Sequence, residues 1–167
     1  KLLSSINVEL DILRNNMLFT GLESVAHNIN HKNSNVKLFE FGKTYHRSGS
    51  TDNESNGLKQ YKEKNHLAIF VSGNTTASNW TTTSRKSDFY FLKSIVDTIL
   101  GKLGITDIET TENELSDMFN YSLVYRKGAE LVQFGKVHAA HCKLTDIKQE
   151  VFFADFNWDA VLAAASK

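Results

Sequence analysis

The sequence predicts an α+β fold, a mainly antiparallel β-sheet flanked by helices, and three observations carry that prediction. Residues 17–31 and 88–103 repeat apolar side chains at helical steps. Strand-like runs between 105 and 138 follow one another with no helix between them, which favours antiparallel neighbours. A chain of 167 residues, 41% hydrophobic and with eleven Phe, can also build one core without disulfide staples.

The elements follow in order. Met17 to His31 reads as a helix, with Leu18, Leu22, Val25 and Ile29 on one stripe. Asn30 to Asn35 is a stop and turn signal. Val36 to Tyr45 reads as a strand covered on both faces for part of its length. Residues 47–64 carry only Leu58 and Tyr61 as apolar members and read as a mobile surface loop. His66 to Ser72 is a buried strand ended by Gly73. A polar stretch to Ser87 follows, with Trp80 as its anchor. Asp88 to Leu103 is the second helix, capped by Ser87 or Asp88 and closed by Gly104. Ile105 to Thr111 reads as a strand. Met118–Arg126 and Glu130–His138 form a hairpin turning at Gly128. Val151 to Phe156 is the last strand, and Asn157 opens a short helix through Ala165.

Composition excludes several classes. The formal charge is zero, so no broad electrostatic footprint for nucleic acid or anionic lipid is written into it. The single cysteine, Cys142, excludes an internal disulfide and fits a reducing, cytoplasmic setting. No apolar run approaches the ~20 residues of a membrane span. There is no signal peptide and no initiator Met, so 1–167 is expected to be a single domain cut from something longer.

Candidate chemistry is sparse. His138, His141 and Cys142 place three soft ligands within five residues, a zinc or thiol-enzyme pattern that lacks the second spaced pair of a structural zinc site. His27 and His31 stand four apart on the first helix without a third ligand. No Gly-rich phosphate loop or nucleophile elbow is present. Glu40, between Phe39 and Phe41, needs a cation or backbone donors if it is buried.

Several blocks resemble the bacterial phenylalanyl-tRNA synthetase beta subunit, in its catalytic-like core domain. Residues 10–45 match that family's segment at Arg14, Gly21, Asn28, Asn30, Asn33, Leu38, Phe39, Glu40 and Gly42. DFYFLK is similar to its Asp-Phe-x-x-Leu-Lys helix, carried by Asp88, Phe89, Leu92 and Lys93. ELVQFGKVHAAH resembles its strand pair ending in Gly-x-x-His-Pro. Thr20 and Ala139 stand where the family has proline, and its His-Pro-Gly-Arg element is not recognisable around Met118–Ser122.

The resemblance implies a class II aminoacyl-tRNA synthetase-like fold within an alpha-2 beta-2 tetramer. That enzyme joins phenylalanine to tRNA with ATP and magnesium, and the alpha subunit carries the active site. A class II site clamps ATP phosphates with Arg side chains, which bind phosphate oxygens bidentately. The four Arg here are Arg14, Arg47, Arg85 and Arg126. None follows position 126, where the family fold places the second clamp. The expectation is a silent module without catalytic, cofactor-binding or metal residues, packed against the alpha subunit. The alternative is an independent enzyme or metal protein built on His138, His141 and Cys142.

Overall fold

The computed structural model describes residues 13–47, 61–76, 83–113 and 117–165. Six strands form one sheet: β1 (Val36–Arg47), β2 (Tyr61–Ser72), β3 (Glu109–Asn113), β4 (Phe119–Lys127), β5 (Ala129–Val137) and β6 (Val151–Asn157). Their spatial order is β1-β2-β6-β5-β4-β3, and every pairing is antiparallel. Four helices accompany them: α1 (Leu18–Asn30), α2 (Phe89–Lys102), α3 (Ala139–Leu144) and α4 (Trp158–Ala165).

The helices sit on opposite faces because the central strands are apolar on both. In β2, Leu67, Ile69 and Val71 join Leu92, Val96 and Leu100 of α2 and Val161 of α4 in one core. Ala68 and Phe70 point the other way, onto Leu18, Leu22 and Val25 of α1 and Cys142 of α3. β6 repeats the split, with Phe152, Ala154 and Phe156 against α2 and α4 and Val151 and Phe153 against α1 and α3. Phe70 stacks on Phe153 at 4.7 Å.

Local chemistry sets the boundaries. Asp88 caps α2 by accepting from the Phe91 N–H at 2.8 Å. That bond holds its carboxyl below the ordinary aspartate value, with Arg85 assisting. Gly104 ends α2 at φ +71°, and Gly128 turns the β4–β5 hairpin at the same φ. Asn157 accepts from the Ala160 N–H at 3.2 Å and so opens α4.

Three expectations change. The strand placed at 105–111 is β3 at Glu109–Asn113, because Gly104 and then Asp107 (φ 58°) keep the chain turning. The loop placed at 47–64 is strand at both ends, since β1 extends to Arg47 and β2 starts at Tyr61, where the two pair. Residues 48–60 and Trp80 lie outside the described residues. Lastly, residues 139–144 form α3, six residues that show no sequence period. Ala139, its first residue, occupies a position where proline is tolerated.

Candidate functional site

Arg14 braces the start of α1 against β1. Its Nη1 meets the Glu40 carboxylate at 2.7 Å, its Nε donates to the Lys43 carbonyl at 2.9 Å, and its own carbonyl accepts from the Tyr45 N–H at 3.0 Å. Glu40 thus has its cation. Gly42 makes room for this arm, since a Cβ there would lie 2.0 Å from an Arg14 guanidinium nitrogen. Gly21 does the same under the sheet, because its Cβ would fall 1.9 Å from the Phe70 ring. Asn28 accepts from the Asn33 side chain at 3.2 Å and closes the turn after α1; Asn30 is exposed.

The second motif builds α2. Phe89 stacks on Phe134 at 5.5 Å, and Leu92 is fully buried. Lys93 pairs with Asp97 at 2.7 Å, and the Tyr125 hydroxyl donates to the same carboxylate at 3.0 Å. These residues connect helix to sheet; none lines an open cleft with a second reactive group.

A polar row crosses the α1 side of the sheet beyond the apolar core, and the sequence motifs do not contain it. Register places Gly42 opposite His66 and Ala68 opposite Asp155. Next to these, Asp155 stands opposite Gln133. His66 Nδ1 lies 2.7 Å from Asp155 Oδ1, and His66 Nε2 lies 2.9 Å from Thr44 Oγ1. His46 Nε2 meets the same hydroxyl at 3.0 Å. Gln133 donates to Ser122 Oγ at 3.1 Å, and Ser122 donates to the Asn113 carbonyl at 3.2 Å.

Hydroxyl, imidazole and carboxylate in series match the geometry of an activated nucleophile. Thr44, however, is fully buried and takes a second imidazole, so no substrate atom reaches it. The row does a different job: it satisfies polar groups across the sheet where each would otherwise cost about 1–3 kcal/mol.

The zinc and thiol pattern does not assemble. His138 Nδ1 accepts from the Ala140 N–H at 3.2 Å as the cap of α3, and His141 Nε2 donates to the Asp117 carbonyl at 2.7 Å. Their rings are 6.2 Å apart, and burial pushes the Cys142 thiol up, away from thiolate. His31 is bonded to the His27 carbonyl at 2.8 Å. Among the described residues no group of three His, Cys, Asp or Glu is placed to hold a metal ion.

Three guanidiniums are engaged among the described residues. Arg14 is on Glu40, Arg85 on Asp88 at 3.0 Å and Arg126 on Glu130 at 3.3 Å. The carboxylates of the polar face are likewise tied, Glu40 to Arg14 and Asp155 to His66.

An apolar surface on β1 stays open. On the α2 side, β1 exposes Phe39 at 73% and Phe41 at 56%. They border an apolar groove of about 300 Å³ with Leu38, Ile95 and Ile99. Phe41 also packs edge-on against Trp158 of α4 at 5.0 Å. No helix among the described residues is long and apolar enough to cross a membrane.

Known proteins match this chain over nearly its whole length. It is 38% identical over 167 residues to the phenylalanine--tRNA ligase beta subunit of Bacteroides thetaiotaomicron, covering 98% of this chain and 20% of that protein. It is 29% identical to that of Porphyromonas gingivalis, covering 100% and 21%. The chain thus spans about a fifth of the length of these relatives. Two structures of pyrrolysyl-tRNA synthetase from Desulfitobacterium hafniense share the fold. Their TM-scores are 0.61 and 0.64 at 17% and 15% identity, each covering 89% of this chain and 48% of the other. The antiparallel sheet with flanking helices is therefore class II synthetase-like. The model of the phenylalanyl tRNA synthetase beta chain CLM domain matches residues 1–158, and the chain belongs to that family.

Proposed function

We propose that this chain is a catalytically silent, structural module of a phenylalanine–tRNA ligase beta subunit, supporting alpha–beta assembly for the ATP-dependent charging of tRNA with phenylalanine. The observation that supports silence is the engagement of Arg14, Arg85 and Arg126 by carboxylates, in a fold whose chemistry needs guanidiniums free for phosphate. ATP and magnesium then act elsewhere in the parent complex, an alpha-2 beta-2 tetramer working in the cytoplasm, and tRNA is met through that complex. The exposed Phe39 and Phe41 beside their groove supply the kind of aromatic anchors that interfaces use.

The deciding experiment co-expresses the full-length beta subunit with its alpha partner and follows co-elution on size exclusion. Wild type co-elutes; the double substitution Phe39→Asp, Phe41→Asp does not. A double variant that still co-elutes at full strength removes the assembly reading. Separately, ATP and phenylalanine are expected to leave the melting temperature of the isolated beta subunit's CLM transition unmoved, because a ligand of the folded state raises stability by mass action. A dose-dependent rise removes the silent reading.

A further inference from the structure

The last turn of α1 sets two imidazoles side by side at the surface. His27 and His31 are both exposed, and their ring centres lie 4.2 Å apart with the planes tilted by 36°. We propose that this pair chelates a zinc ion, with Nε2 of His31 and a ring nitrogen of His27 as its protein ligands and water in the remaining positions. The proposal does not rest on the assembly reading above, and α1 packs on the opposite face of the sheet from the β1 groove.

Three observations carry it. The first is spacing. Residues four apart on a helix stand one above the other. Two imidazoles on one tetrahedral zinc, at Zn–N of about 2.0–2.1 Å, have ring centres roughly 5 Å apart. The pair already stands near that spacing, so rotation of the side chains alone reaches it. The second is the tautomer. His31 Nδ1 lies 2.8 Å from the His27 carbonyl oxygen. A carbonyl only accepts, so Nδ1 carries the proton and the neutral ring keeps its lone pair on Nε2. Ligating histidines are held in this way, with the second nitrogen on a carbonyl that fixes ring and tautomer. The His27 ring has no hydrogen bond among the described residues, so no bond must break to free its nitrogen.

The third is a fixed backbone beneath the pair. His31 is the C-cap of α1. The Lys32 N–H donates to the Ile29 carbonyl at 2.9 Å, and the Asn33 N–H donates to the Asn28 carbonyl at 3.0 Å. These two nested bonds close a helix at a left-handed residue, here Lys32 at φ 65°. The Asn33 side chain ties the turn again, on Asn28 Oδ1 at 3.2 Å. A chelator ordered beforehand loses less freedom on binding. Among the described residues no third His, Cys, Asp or Glu joins the pair. Two nitrogens therefore suit an exposed ion with positions left to water, in contrast to a closed four-ligand site. Imidazole donors favour zinc over magnesium, which takes oxygen.

The test is histidine acylation by diethyl pyrocarbonate, read by peptide mass spectrometry on the full-length protein that carries this chain. Zinc chloride is expected to slow labelling of His27 and His31 severalfold, while His138, also exposed, labels as before. Magnesium chloride at the same concentration gives no protection. His31→Gln is expected to abolish zinc protection at His27, and His27→Gln to abolish it at His31, because one imidazole alone does not chelate. Both side chains are exposed, and the bonds that close the helix are backbone bonds, so both variants fold. Labelling unchanged by zinc, or equal protection by magnesium, would overturn the proposal. So would equal slowing at His138, or protection that survives either substitution, each of which reduces the effect to adventitious binding at single surface imidazoles.

Discussion

The two edges of the sheet are opposites. β3, at one end, is five residues of Glu, Thr and Asn, its first four exposed. It is short, charged and hydrophilic, the features by which proteins stop an edge from pairing with another chain. β1, at the other end, runs twelve residues and presents Phe39 and Phe41 outward. Both are edges of one sheet, so backbone geometry alone does not explain the difference. The side chains do: one edge is guarded and the other is dressed for contact. The contrast is the reason the proposed assembly surface is put on the β1 side.

The largest effect sets the scale. Phe70 is fully buried, and Phe70→Ala is expected to cost about 3–5 kcal/mol in urea unfolding. If β1 serves contact rather than stability, Phe39→Asp and Phe41→Asp should instead leave unfolding within about 1 kcal/mol. They should weaken association with the alpha subunit by about 2 kcal/mol or more, read as a rise in dissociation constant. A large loss of stability without a loss of association would invert the comparison.

A smaller effect belongs to the region between the edges. Asp88→Ala removes the α2 cap and is expected to cost about 1 kcal/mol. Asp88→Asn keeps the cap and separates geometry from charge. Because the folded carboxyl is held below its ordinary value, its contribution is complete above the unfolded aspartate pKa and is lost as pH falls through the folded one. An acid titration of the wild type should show this loss, and the Asn variant should be flatter in that range. Asp159, whose carboxyl is lowered by the side chain and N–H of Asn65, adds to the same acid limb. The smallest effect is on the guarded edge. Thr110→Lys should change neither stability nor association by more than about 0.5 kcal/mol.

Much of this fold was legible in the residues. The stripes of α1 and α2 and the glycine of the β4–β5 turn are local signals, and the structure places them where the periodicity does. Glu40 between two Phe demanded a cation and has Arg14. What was not legible depends on register. Thr44, His66 and Asp155 are far apart in the chain and meet only because β1, β2 and β6 pair in one alignment. α3 is shorter than two helical turns and offers no period to detect. Residues 61–64 of β2 and Arg47 at the end of β1 read as loop because that stretch is almost wholly polar; backbone pairing, not burial, makes them strand.

The missing side chain at Gly21 has a reach beyond its own helix. α1 lies so near the sheet there that the Phe70 ring fills the space a methyl group would take. The two positions are therefore not free to drift separately. An alanine at 21 is tolerable only beside a smaller residue at 70, and a shrunken residue at 70 invites a methyl at 21. Single changes at either place are penalised and the paired change is forgiven, so descendants of this chain are expected to hold both residues or exchange them together.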